Sequence, residues 1–194
     1  MRVRLAGALF ALVLCSCAHG VEDIAVIPGL AGAAKIYTLT TLHPDPEDRR
    51  LYAANFQQLG LIPICSEVSL LRYRAQPRPF LTFRVESTGT EYEYDDHGAA
   101  GEPFAKNLAR YFGPACPRAQ LDALSDSERA AVAKGVVEIG MRKQAVLLAL
   151  GDPPKRDTPS LEDSSWRYWR NRWTFFVVRF GDDGRVSEIL GDSS

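Results

Sequence analysis

The 194-residue chain carries little material for metal or redox chemistry. It has three histidines and four cysteines, and no two cysteines are spaced as C-x-x-C. That spacing is shared by zinc ribbons and thioredoxin-like sites, so neither is expected. No G-x-S-x-G, H-E-x-x-H or P-loop is present, and with them go the usual signatures of acyl transfer, zinc proteolysis and nucleotide hydrolysis. An excess of one charge is lacking too, with 23 basic residues against 24 acidic and a pI of 6.3. A nucleic-acid partner calls for a basic stripe or a high pI and is not expected. Beyond the first twenty residues, no apolar run reaches the about 20 residues that a helix needs to span a bilayer. Asp95, Asp96 and His97 could in principle share a metal with His43 and Asp45. Both histidines sit among proline, glycine or aspartate, however, and solvated loops are the expected reading. No enzymatic activity, cofactor or metal is expected.

What is present begins with "MRVRLAGALFALVLCSCAHG". Arg2 and Arg4 precede an apolar run from Leu5 to Leu14, the layout of a secretory signal peptide. Leu14-Cys15-Ser16-Cys17 resembles a bacterial lipobox, with an aliphatic residue three positions before Cys17 and a small one just before it. Cys15 fits less well as the processed residue, because bulky Leu14 precedes it. The resemblance implies a diacylglyceryl thioether on Cys17 and an acylated new N-terminus, and several acyl chains together give stable anchoring. Ala18 in place of Asp implies sorting to the periplasmic face of the outer membrane. The alternative is a secreted protein cleaved between Ala18 and Gly20. Residues 1–16 are thus read as signal and 17–34 as a tether or a loosely held first strand. Removing the first 16 of 194 residues leaves 178, enough for one ordinary domain or two small ones sharing a core. It leaves 21 of the 23 basic residues against 24 acidic ones.

Export sets the expectation for the other two cysteines. In an oxidising compartment, Cys65 and Cys116 are expected to pair, and the alternative is two buried free thiols.

Residues 35–120 read as a β-rich subdomain with one helix, for which a small barrel is one option. Strands are expected at Lys35–Thr40 and Leu61–Leu71. "FLTFRVE" and "EYEYD" alternate on either side of Gly89 and form a hairpin. Between Glu102 and Pro114, Phe104, Leu108, Tyr111 and Phe112 fall on one helical face. His43 to Arg50 reads as a polar, proline-broken loop.

Residues 121–194 read as α-α-β-β-β. Ser125 and Glu128 form a capping box ahead of a helix that Gly135 ends. A second short helix follows Gly140. Gly151 stands where a left-handed cap is expected, and Pro153 and Pro154 forbid continuation. Three strands then follow: Ser164–Arg170, Trp173–Phe180, apolar on both faces, and Arg185–Leu190, with a turn at Asp183-Gly184.

Gly140, Met141, Val146, Leu150, Gly151, Pro153, Trp166, Tyr168, Phe180, Gly184 and Val186 form a pattern that resembles the BamE/SmpA/OmlA family of small outer-membrane lipoproteins. It covers about the last 70 residues. Arg142 departs from it, because the family often has Thr or Ser there to cap the helix. The resemblance implies a two-layer α+β module and a non-catalytic role in envelope or outer-membrane protein assembly. Its implied partner is an envelope protein, including components of the β-barrel assembly machinery, and the resemblance also implies contact with anionic lipid. A periplasmic inhibitor or ligand-binding module, or a peptidoglycan- or lipid-binding protein, remain as alternatives. Fold alone does not separate them.

The alternation of "SSWRYWR" puts Trp166 and Tyr168 on the core face and Arg167 and Trp169 on the other. Trp and Arg are enriched at binding hot spots. Arg167, Trp169 and Arg172 are therefore the expected partner-binding residues. The competing expectation packs Trp169 against the N-terminal β-rich region.

Overall fold

The computed structural model describes residues 24–96, 98 and 101–191. The expected signal segment, the lipidation site Cys17, Cys15, His19 and His97 lie outside them. Chain order is a 3-10 turn (Ile24–Val26), β1 (Ile36–Thr38), β2 (Arg50–Tyr52), β3 (Glu67–Arg74), β4 (Phe80–Val85), β5 (Thr90–Asp95), α1 (Phe104–Leu108), β6 (Phe112–Gly113) and α2 (Arg118–Asp122). There follow α3 (Asp126–Lys134), α4 (Lys143–Leu150), β7 (Ser165–Trp169), β8 (Phe175–Phe180) and β9 (Val186–Leu190). The architecture is α+β. A curled six-stranded sheet has the order β2-β5-β4-β3-β1-β6, and a three-stranded sheet has the order β7-β8-β9. No ladder joins the edge strands β2 and β6, so the first sheet does not close into a hydrogen-bonded barrel.

The expected hairpin is β4–β5, with Val85 opposite Thr90. Leu81, Phe83 and Val85 point into the first core with Tyr73, Tyr94 and Phe112. Burying one such side chain contributes about 1.5–3 kcal/mol. Ile27 and Leu30 enter the same core, so the described part of the expected tether is packed.

Several boundaries differ from expectation, each for a local reason. The third strand starts at Glu67 and not at Leu61. Pro63 has no N–H for a ladder, and Leu61–Cys65 instead runs past Leu42 and Thr38: Ile62 bridges Leu42, and the Thr38 hydroxyl donates to the Pro63 carbonyl at 2.8 Å. The helix expected to reach Pro114 stops at Leu108. Tyr111 and Phe112 still join Phe104 and Leu108 in the core, because Phe112 pairs with Thr38 as a short strand. Arg50, expected at the end of a loop, begins a short strand, Arg50–Tyr52, that pairs in parallel with β5.

The second core holds α3, α4 and the three-stranded sheet. Val132, Val146, Leu150, Trp166, Tyr168, Phe176 and Val178 are its centre. The Ser125–Glu128 capping box forms, and Gly135 closes α3 at φ 66°. A Cβ on Gly135 would stand 2.5 Å from His43 Cε1, so glycine is required there for space as well as for backbone conformation. Helices cover only one face of this sheet. β8 therefore alternates: Phe176, Val178 and Phe180 are buried, while Phe175 and Arg179 are exposed. The expectation of two apolar faces is corrected accordingly.

Gly151 does not adopt the expected left-handed cap. Its φ is 75° and its ψ −175°, an extended conformation open mainly to glycine. The reason lies in where the last carbonyls of α4 find donors, since a helix end leaves four of them without partners of its own. The Gly151 N–H reaches Leu147, and the other three are served by the N-terminal unit. The Thr41 N–H donates to Leu148 at 2.9 Å. His43 Nε2 meets the Ala149 carbonyl at 3.0 Å, and Asn55 Nδ2 and Gln57 Nε2 donate to Leu150 at 2.8 and 3.0 Å. A polar seam thus joins two apolar cores.

Candidate functional site

The three expected partner-binding residues lie on or beside the sheet face that carries no helices. Arg167 and Trp169 belong to β7 and are half-buried; Arg172 is exposed in the turn after it. Their neighbours set the geometry. The Arg167 guanidinium sits 4.6 Å over the Phe175 ring, and the Trp169 and Phe175 ring centroids are 5.2 Å apart. Arg172 lies 5.8 Å over the Trp173 ring. A guanidinium over an aromatic face is an attractive arrangement that also keeps the charge in contact with solvent.

Asp157 organises the patch. Its carboxylate accepts a hydrogen bond from Trp169 Nε1 at 2.9 Å and lies 3.8 Å from Arg167. The next residue, buried Thr158, accepts the Arg167 N–H through its hydroxyl at 3.0 Å. The loop after Pro154 is therefore fastened along β7 and fixes two of the three expected residues.

Trp169 does contact the N-terminal β-rich region. Its carbonyl accepts the Gln57 N–H at 2.7 Å. Its ring lines a small recess of about 140 Å³ with Ala54, Phe56, Pro154 and Arg172. Ala54 and Phe56 come from the N-terminal unit, so one side of Trp169 is a junction contact and the other is open. Beside it Trp173 is 81 % exposed and Phe175 is 40 % exposed. Trp173 was expected in the strand. It stands outside because Asn171 Oδ1 accepts the N–H groups of Trp173 and Thr174 and holds the turn open through Thr174.

Sequence reasoning missed Asp157, Phe175 and Trp173 as parts of this surface. Phe175 was within reach, because alternation places it opposite in direction to Phe176 and in register with Trp169. Asp157 lies in an irregular loop and carried no signal.

Among the described residues, the members of the metal set raised by the sequence are not grouped. His43 is buried at the seam, and Asp45 Oδ1 accepts the N–H groups of Glu47 and Asp48. His97 lies outside the described residues. Among the described residues no three His, Cys, Asp or Glu side chains are grouped to hold a metal ion, and no helix is long and apolar enough to cross a membrane. No known family model, curated protein or solved structure matches the chain.

Proposed function

We propose that this is a non-catalytic, lipid-anchored outer-membrane protein of the BamE/SmpA/OmlA type, a protein-binding module in envelope assembly. The observation that carries the reading is the uncovered face of the three-stranded sheet, where Trp173 and Phe175 are exposed beside Arg167, Trp169 and Arg172. Isolated surface hydrophobes are ordinary. Two large rings in one patch with stacked guanidinium groups have the composition of a binding hot spot. The partner is an envelope protein that presents an acidic surface. Arg167, Arg172 and Arg179 lie on or beside this face, and Asp157 and Glu188 offset two of them. The order α3, α4, β7, β8, β9 also fits the module that the sequence pattern resembles.

The reading is tested by crosslinking capture from native membranes. Trp173→Ser with Arg172→Glu removes exposed groups only, and capture of assembly components is expected to fall with an unchanged Tm. Cys17→Ala is expected to leave unprocessed precursor in the inner membrane. Undiminished capture by the double variant would overturn the interface. Normal processing and outer-membrane location of the Cys17 variant would overturn the anchor.

A further inference from the structure

The recess beside Trp169 has two walls that come from different units, and both are held in place. On one side stand Ala54 and Phe56. Between them Asn55 has a φ of 52°, a left-handed conformation that asparagine tolerates. Its Nδ2 donates to the Leu150 and Asp152 carbonyls at 2.8 Å each, and the Gln57 N–H donates to the Trp169 carbonyl at 2.7 Å. On the other side stand Pro154 and the Trp169 ring, and the Asp157 carboxylate holds the indole through Nε1. Walls that are ordered beforehand lose little conformational freedom on binding.

Size and lining say what fits between them. The volume of about 140 Å³ is close to that of an engineered apolar cavity of about 150 Å³ that takes up benzene. Phe56 and Trp169 offer an aromatic guest ring contacts that are worth more than the area they bury. The indole N–H is already committed to Asp157, so the aromatic walls offer a polar guest no donor. Arg156 and Arg172, both exposed, also line the recess. Neither forms an ion pair among the described residues. Asp157 supplies the one carboxylate among the described lining residues, and it is shared between Trp169 Nε1 and the Arg167 guanidinium.

We propose that this recess takes a phenylalanine side chain of the partner, flanked in the partner's sequence by Asp or Glu that meets Arg156 and Arg172. The inference rests on the reading of this face as a protein-binding surface, and names the group by which the partner docks. The ring fills the space between Phe56 and Trp169. The neighbouring carboxylate accepts from guanidinium groups that the free protein leaves without an acid, and such charge-assisted pairs are the stronger kind of hydrogen bond. A carboxylate without the ring leaves the apolar walls in water, and a ring without the carboxylate leaves both arginines unmatched. A ring seated in a pocket beside arginine has the composition of a hot spot.

The test is a titration of the 15N-labelled full chain with acetyl-Gly-Ser-Asp-Phe-Glu-Ser-Gly-amide, followed at the Trp169 indole N–H and the Phe56 and Arg172 amides. Those signals are expected to shift together. A peptide with serine in place of phenylalanine is expected not to bind. One with Asn and Gln in place of Asp and Glu is expected to bind about tenfold more weakly, the effect of one charge-assisted hydrogen bond. Arg156→Gln, a change at an exposed position, is expected to weaken the acidic peptide to a similar degree with Tm unchanged. Equal binding of the serine peptide or of the uncharged one, shifts centred elsewhere, or no shift at millimolar peptide would each overturn the proposal. If capture from native membranes still falls for Trp173→Ser with Arg172→Glu, only the recess is then overturned and the protein-binding reading stands. Peptide binding as expected, with capture undiminished, overturns that reading and leaves the recess.

Discussion

His43 Nε2 lies 3.0 Å from the carbonyl oxygen of Ala149, a contact across 106 residues of chain. The imidazole belongs to the N-terminal unit and the carbonyl to the last turn of α4. With the proton on Nε2, the neutral ring donates to an acceptor that the helix cannot satisfy by itself. Thr41, Asn55 and Gln57 serve the neighbouring carbonyls in the same way. The short helix α4, marginal on its own, is thus capped by residues about a hundred positions away. The two cores are expected to unfold as one cooperative unit for this reason.

A pH dependence follows from the same contact. Burial pushes the His43 pKa below its ordinary value, opposed in part by the Ala149 and Gln58 carbonyls. Below the unfolded pKa of about 6.5 the unfolded chain takes up a proton that the folded one resists. Stability from the neutral ring is therefore complete above that pH and is lost as pH falls through the folded value. Tm measured between pH 8 and pH 5 is expected to drop more steeply for the wild type than for His43→Gln. Parallel profiles would show that the ring does not titrate with folding.

Glu128 should prove the most sensitive carboxylate. It is 3 % exposed and accepts from the Ser125 N–H, the Arg142 N–H and the Arg142 guanidinium, the last at 2.6 Å from Nη2. One carboxylate thereby caps α3 and also serves the start of α4, where Arg142 offers no side-chain cap of its own. The Arg142 guanidinium holds the Glu128 carboxyl well below the usual carboxylate range, so its contribution is present above about pH 4.3 and is lost on acidification. Glu128→Gln is expected to cost about 3 kcal/mol, the low end for breaking a buried pair, because Arg142 is partly solvated. Adding Arg142→Ser is expected to recover part of that loss, since serine can cap the helix directly. Chemical denaturation of the three proteins measures both effects, and an unchanged midpoint for Glu128→Gln would refute the account.

The sulfurs of Cys65 and Cys116 stand at disulfide distance, with the Cα atoms 4.8 Å apart. A bridge here would tie the chain just before β3 to the chain just after β6, both neighbours of β1. For the 51-residue separation, the chain-entropy relation gives about 4 kcal/mol at most. Alkylation of the unreduced, denatured protein is expected to label neither thiol, and reduction is expected to lower Tm by several degrees. Labelling of both thiols before reduction would rule the bridge out.

Local chemistry in the sequence was enough for the elements whose cause is local. The Ser125–Glu128 box, the Gly135 stop, the β4–β5 hairpin and the opposite faces of Trp166 and Trp169 all follow from side chains within a few residues of one another. Tertiary structure decided what depends on distant partners. Tyr111 and Phe112 kept their burial but not their helix, because a place beside Thr38 was open to them. Gly151 took an extended turn because the carbonyls ahead of it are capped by Thr41, His43, Asn55 and Gln57. Arg142 could dispense with a capping hydroxyl because Glu128 reaches its N–H from the neighbouring helix. The patch around Trp169 exists because Asp157 swings in from a loop. Periodicity records which way a side chain faces along its own element. A hydrogen bond between residues a hundred positions apart leaves no period, and only the folded chain brings its two ends together.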